Sequence, residues 1–513
     1  MSPGIPVPHY ARHAEAWLPP TAELLVQGGD MRIALDPALG TNQYGCRPLP
    51  DAGLLAFGSS TASVVSEAGF AAADSLRQQL LRAAETEAQP AIYARELGRM
   101  RRELLELCGV AGEQPECVFA ASGTDIHLLA AQLAGNGQNE KPLTVMTEAA
   151  ETGSGVPSAL AGRHFSARSA LGVAVAQGAT MAGNMQVVAV PVRQRDGMLR
   201  EAAAVDAEIA VQVRQAVAAR RRVLLVLTDV SKTGLMVPSS ACVIALHRQF
   251  AGNVEVLVDA CQFRLAPATL RAYLEHGFMV ALTGSKFVGG PSFSGALLIP
   301  QSAARCLRWR ALPPAVAAYS SRVEWPGNWA AADALGEAAN FGLLLRWEAA
   351  LTELRSFRVL PEAEVHEFLQ AFADAVAGHL AHNPAFEALP VAPLDRRALL
   401  DRPGWDQVQT IFPFLLYRPL AGGGKPLSRT ETQQVYRLLQ DDLSGSGDLL
   451  SLRCQLGQPV ACGERDGTAV SALRLCASAR LAVEALQGRD HAQRVIGHAI
   501  AALDKAALIV STL

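Results

Sequence analysis

The chain has 513 residues, a formal net charge of −3 and half of its residues hydrophobic. That length exceeds what one hydrophobic core usually serves, so two domains, or one large domain with a satellite, are expected. A sequence pI near 6.4 leaves no basic stripe for neutralising nucleic-acid phosphates, so an acidic small molecule must be captured locally rather than by overall charge. The nine cysteines form no CxxC pair, which argues against a disulfide framework or a zinc site and for a reducing cytosol. The N-terminal residues MSPGIPVPHYARHAEAW lack a basic region followed by an apolar one. No apolar stretch reaches the ~18 residues of a membrane helix, so a soluble, cytoplasmic protein is expected.

Residues 1–60 are rich in Pro and Gly and end in the small-residue run Gly58-Ser59-Ser60-Thr61-Ala62-Ser63, the pattern of an arm that packs onto something else. Apolar residues at helical spacing over 91–108 predict a helix. Strands are predicted at 116–121, 143–146, 185–192, 223–228 and 254–258, with helices at 125–134, 201–220 and 241–250 between them. Strands that are apolar throughout and separated by helices indicate a parallel sheet covered on both faces.

After Pro300 the pattern changes. Helices are predicted at 331–354 and 362–380, then a proline-rich stretch at 383–403 and a strand at 409–417. The glycine linker Gly422-Gly423-Gly424 precedes a helix opened by a Ser428 to Glu431 capping box. Strands near 449–453 and at 472–476 and a final helix complete a smaller α+β region. The expected organisation is an arm over 1–60, a large α/β domain over 61–345 and a small C-terminal domain over 346–513.

Three loops of the expected parallel sheet share one edge, because ligands of such sheets bind outside the carboxyl ends of the strands. In the first, Ser122-Gly123-Thr124-Asp125, a strand gives way to a helix. Its backbone N–H groups, a glycine and two hydroxyls suit a phosphate, although an ordinary N-cap has the same signature. In the second, Asp259-Ala260-Cys261-Gln262 ends an apolar strand. A carboxylate there needs a cation, or else caps the next helix. The third is Thr283-Gly284-Ser285-Lys286, and the chain has only four other lysines, at 141, 232, 425 and 505. A partly desolvated lysine beside small residues can form an imine with a carbonyl. A phosphate cradle, a carboxylate for a protonated ring nitrogen and an amine for an aldehyde match the handles of pyridoxal 5'-phosphate.

The ordered set Ser122-Gly123-Thr124, Asp259-Ala260-Cys261-Gln262 and Thr283-Gly284-Ser285-Lys286, followed by Gly289-Gly290-Pro291 and Gly295-Ala296-Leu297, resembles fold-type I PLP-dependent enzymes. Within them it is most similar to the class V aminotransferase and cysteine desulfurase group, well over 90–300 and loosely elsewhere. The resemblance implies an α/β large domain with a mainly parallel, seven-stranded-type sheet and a smaller α+β domain. It implies that Lys286 holds the cofactor as an aldimine and moves protons, that Asp259 pairs with the pyridine nitrogen, and that Gln262 bonds the ring O3'. Ser122, Gly123, Thr124, Thr283 and Ser285 would hold the phosphate. On the strand Ser471-Ala472-Leu473-Arg474, Arg474 would pair with the substrate carboxylate, with Arg453 as its rival. A homodimer with active sites at the interface is implied as well, with residues 319–322, 327 and 328 reaching across it.

Two departures leave the reaction open. Ser285 stands where this group often has histidine, and Ala149 falls where relatives place a ring over the cofactor, so Glu151, Thr152 or a later residue would have to cover that face. Cys454 lies near the desulfurase loop at a different spacing. Ser231 or Thr233 could approach O3', and a salt bridge is the default for Lys232. His379 and His382 have helical spacing without a third ligand, so surface histidines are expected and no metal. The leading expectation is an aminotransferase acting on a small amino acid or amine. The alternatives are a C–S or C–C lyase or decarboxylase and a non-catalytic PLP-fold sensor or assembly protein.

Overall fold

The computed structural model describes residues 18–135, 142–181, 185–402, 404–419 and 424–512. Residues 1–17 of the expected arm and Gly422-Gly423 of the expected linker lie outside the described residues. The strands, in chain order, are β1 (Leu54–Phe57), β2 (Glu116–Ala120), β3 (Leu143–Thr147), β4 (Gln186–Val190), β5 (Val223–Asp229), β6 (Met236–Val237) and β7 (Val254–Ala260). They continue with β8 (Met279–Thr283), β9 (Gly295–Ile299), β10 (Phe386–Ala388), β11 (Ile411–Arg418), β12 (Lys425–Pro426), β13 (Arg453–Arg465) and β14 (Thr468–Cys476).

The larger sheet has the order β2-β9-β8-β7-β5-β3-β4, with the short β6 paired to β5. Pairing is parallel from β4 through β3, β5 and β7 to β8. It is antiparallel on both sides of β9, so β2 runs in the direction of β8. The strands β5, β7 and β8 are apolar along their length because both faces are covered. Leu225, Val256, Val258 and Val280 pack with the helices Glu67–Ala83, Gln89–Leu107 and Phe341–Arg358, through residues such as Leu76, Leu97 and Leu351. Their alternates Leu224, Val226, Leu257 and Ala281 pack with Ile126, Leu129 and Leu133 of the helix Gly123–Gly135. The period-two alternation of a strand divides the core in this way.

The smaller sheet has the order β1-β13-β14-β11-β10, with β12 on β11. Its core joins Phe368 and Phe372 of the helix Glu362–His382 to Leu473, Leu475 and Leu503. The arm is not a separate appendage. β1 pairs in parallel with β13, and Leu18, Leu24 and Leu25 are buried in the core of the larger sheet.

Several elements differ from expectation. The helix predicted from 331 begins at Phe341, where the Asn340 side chain accepts the Leu343 N–H and sets the start. The strand predicted near 449–453 is a short helix, Asp448–Ser451, opened by Gly447 at φ 129°, and β13 starts only at Arg453. The helix Glu67–Ala83, capped by Ser66, lies in a stretch for which no element was expected. The last helix, His491–Thr512, is apolar and long enough to cross a membrane by length and composition, unlike any stretch expected from the sequence. Val495, Ala499, Leu503, Ala506 and Val510 pack into the smaller core, and Lys505 Nζ donates to the carbonyls of Leu439, Asp441 and Leu452 at 3.1, 2.7 and 2.5 Å. A buried ammonium is tolerated there because three backbone carbonyls receive it, two of them just past the end of the helix Arg429–Leu438.

Candidate active site

β2, β3, β5, β7 and β8 point the same way, and their carboxyl ends open on one cavity of about 200 Å³. Ser122, Gly123, Thr124, Asp259, Gln262, Thr283, Ser285, Lys286 and Arg474 all line it, although Arg474 comes from the other sheet. The Lys286 loop is the turn from β8 to the antiparallel β9 rather than a crossover into a helix. Gly284 allows this turn to lie against the helix Phe341–Arg358, because a Cβ there would sit 2.5 Å from the Ala350 Cβ.

At one end, Ser122-Gly123-Thr124 opens a helix whose first N–H groups face the cavity edge. A Cβ on Gly123 would come within 2.8 Å of Cys261 Sγ, so glycine is needed where the chain leaving β2 passes the chain leaving β7. A guanidinium that no motif marks completes this cradle. Arg32, from the arm, donates to Thr124 Oγ1 at 3.0 Å and Ser122 Oγ at 3.3 Å and pairs with Asp30 at 2.6 Å. Ser122 in turn donates to Asp125. Burial and the neighbouring Asp30 carboxylate push the Asp125 carboxyl up to about 7, against the pull of Ser122 and Arg32.

At the centre, Asp259 has a partner the sequence reading missed. His127 Nε2 stands 3.2 Å from Asp259 Oδ2, while His127 Nδ1 contacts the Gly123 carbonyl at 2.6 Å. Burial opposes charge on both, yet the pairing prevails. His127 is held above the ordinary histidine range, and Asp259, beside His127 and Lys286, well below the carboxylate range. The Gln262 Nε2 donates to the Ser60 carbonyl at 3.0 Å, which leaves its Oε1 buried without a protein partner. One of the two N–H groups of that amide is thus engaged, and the other is left for a ring oxygen. The Thr283 hydroxyl donates to the Cys261 carbonyl at 2.6 Å and accepts from Ser285 at 3.4 Å.

The third wall comes from β3, β5 and β14. Ala149 is not in the lining, whereas Glu151 and Thr152 are. Glu151 is held by Arg193 at 3.0 Å and by the hydroxyls of Ser231 and Thr233, each at 2.6 Å. Those two hydroxyls therefore serve Glu151. Lys232 lines the cavity, and no carboxylate lies within ion-pair distance of it among the described residues, contrary to the salt bridge expected. Arg474 is buried, with Nε on Ser60 Oγ at 3.2 Å, Nη2 on Thr61 Oγ1 at 2.6 Å and Nη1 on the Gln458 carbonyl. The small-residue run is thus a strap between the sheets: Ser59 donates to the Ala477 carbonyl, and Ser63 to that of Lys286.

Other candidates fall elsewhere. Arg453 pairs with Asp51 outside the cavity. Cys454 is buried in the smaller core, where desolvation pushes its thiol up to about 11. Ser320 donates to Glu324 at 2.8 Å, and the Ser321 N–H does so at 3.0 Å, so both serve a local turn. His379 pairs with Asp504 at 3.0 Å, and His382 contacts its own helix at Gly378.

No protein-family model and no curated protein sequence matches the chain. Solved structures do. A cystine C–S lyase in complex with its product cysteine persulfide matches at 16% identity with a TM-score of 0.52, covering 88% of this chain and 98% of the lyase. A NifS-like protein matches at 12% identity and a TM-score of 0.53, covering 88% and 99%. A cysteine desulfurase from Escherichia coli matches at 14% identity and a TM-score of 0.51, covering 88% and 94%. The chain has the fold of the fold-type I PLP-dependent enzymes.

Proposed function

We propose that this protein is a PLP-dependent enzyme acting on a small amino acid or amine, with Lys286 as the amine that takes the cofactor aldehyde. The observation that supports this is the convergence on one cavity of Lys286, the Asp259–His127 pair and the Ser122-Gly123-Thr124 helix start. A variant of the similar C–S lyase holds glycine covalently linked to PLP, so the fold accommodates the group.

The residues fit the cofactor. The helix start and the Arg32 guanidinium suit a phosphate dianion, and the second Nε2–H of Gln262 is left to donate to a ring oxygen. Asp259, ionised and held by His127, keeps a ring nitrogen protonated. When bound, the cofactor supplies an electron sink for charge developing at the substrate carbon. Arg474 retains an N–H on each Nη after its three bonds to the chain, enough to take a carboxylate and fix the substrate's orientation. Lys286, once released, is the base that moves protons at that carbon.

Transamination is the reading preferred over sulfur transfer, because Cys261 is the only cysteine in the described lining and Cys454 sits in the core. Nine unpaired cysteines support a reducing, cytoplasmic setting. A homodimer, which the family resemblance implies, is part of the proposal.

Titration with PLP should raise a visible absorbance band that borohydride reduction ties to the peptide carrying Lys286. A Lys286→Ala protein that retains the same reducible adduct would sink the assignment. Amino acids that convert the band to a pyridoxamine-like near-ultraviolet species support transamination. Release of sulfide, ammonia or carbon dioxide without that conversion would place the chemistry with the lyases.

A further inference from the structure

Besides His127, the cavity lining carries four lysine and arginine side chains, Arg32, Lys232, Lys286 and Arg474, in a chain whose net charge is −3. Its carboxylates are already committed. Glu151 is held by Arg193, Ser231 and Thr233, and Asp259 by His127. Arg32 has Asp30. Arg474 and Lys232, both in the lining, are left without a carboxylate among the described residues.

Lys232 is not a floppy surface chain. Its N–H donates to the Glu151 carbonyl at 2.9 Å, and the Ser231 hydroxyl oxygen accepts the N–H groups of Thr233 and Leu235 at 3.2 and 3.1 Å. The loop after β5 is therefore pinned from both sides, and the lysine stem leaves it at a fixed point in the cavity wall. The charges acting on the amine are Arg474, Lys286, Arg32 and Glu151. Burial first, then Arg474 and Lys286, push it down to about 7, with Glu151 opposing. A cation short of counter-charge beside the arginine that takes one carboxylate is complementary to a second.

We infer that Lys232 anchors a second carboxylate on the substrate, so that the pocket selects dicarboxylic amino acids over monocarboxylic ones. This rests on the reading above, in which Arg474 takes the first carboxylate. Because the amine sits close to half-protonated near neutral pH, it takes up a proton from water when the dianion arrives.

The test uses unreactive probes on the PLP-loaded full chain. Succinate and butyrate are titrated calorimetrically in two buffers of different ionisation heat, about one unit above neutral pH. Succinate should bind about tenfold more tightly or better, with net proton uptake. Lys232→Met should bring the ratio to within about twofold and abolish the uptake. Lys232→Arg should keep a preference without uptake, since a guanidinium is always charged. Equal binding of the two acids by the wild type, or a Lys232→Met protein with ratio and uptake intact, would overturn the inference. If Lys232→Met does not fold, Lys232→Arg decides, because persisting uptake would mean that another group titrates. The borohydride-reducible band is read on the same samples. The band without the preference sinks this inference alone, and the preference without the band sinks the cofactor reading alone.

Discussion

The Asp259 carboxylate at the end of β7 stands 3.2 Å from His127 Nε2, and that imidazole is fixed from behind by the Gly123 carbonyl at the start of the phosphate cradle. One side chain thus ties the place where a phosphate would sit to the place where a ring nitrogen would sit. A histidine four residues after Gly123 faces the same side of its helix as the cradle, so a single helix sets both distances.

That pair has a pH signature in the cofactor-free protein. The folded pKa of His127 is raised, so its contribution is fully present below about pH 6.5 and is lost as pH rises through the raised value. The folded pKa of Asp259 is depressed, so its contribution is present above about pH 4 and is lost only as pH falls through the depressed value. The melting temperature of wild type minus that of His127→Asn should therefore be largest between about pH 4.5 and pH 6.5 and shrink above. A difference that stays flat across thermal melts from acid to alkaline pH would contradict the assignment.

Arg32 should read the phosphate specifically. Hydrogen bonds to a charged group contribute about 1.5–3 kcal/mol, which corresponds to about ten- to a hundredfold in affinity. Arg32→Ala should weaken pyridoxal phosphate by that factor while changing the affinity for pyridoxal by less than about threefold. Equal losses for both ligands, measured by absorbance titration, would show that Arg32 acts through the fold instead.

The loop at 390–400 is locked by a fully buried ion pair. Arg396 Nε donates to Asp229 Oδ2 at 3.0 Å, Tyr273 donates to the same oxygen at 2.5 Å, and neither charged side chain is exposed. Removing one partner strands the other charge, so Arg396→Met should cost about 3–5 kcal/mol in denaturant unfolding. The double variant Arg396→Met with Asp229→Leu should recover part of that loss. A double variant as unstable as the sum of the singles would show the two sites to be independent.

Gly284 is needed for space. Its hypothetical Cβ meets the Ala350 Cβ at 2.5 Å and Ser294 Oγ at 3.1 Å, so Gly284→Ala should cost about 1–3 kcal/mol. Pairing it with Ala350→Gly should give less than the summed cost of the two single changes, even though glycine in a helix carries its own penalty of about 1 kcal/mol. Strict additivity in denaturation would place the strain elsewhere.

The apolar runs of β5, β7 and β8, and the polar residues at their ends, were determined by the sequence itself, because a strand buried on both faces must be hydrophobic throughout and can bear function only where it stops. Lys286, Asp259 and Ser122 were legible for that reason. Arg32, His127 and the pairing of β1 with β13 were not. Arg32 lies in a segment without periodicity and meets Thr124 across 92 residues of chain, and His127 looks like any other polar residue in an apolar helix until Asp259 is placed beside it. Lys232 could be named, but the salt bridge expected of it is not formed. Local sequence specifies which side chains an element presents, whereas the charge balance of a cavity depends on which partners the tertiary packing has already consumed, and here it consumed Glu151 and left Lys232 open.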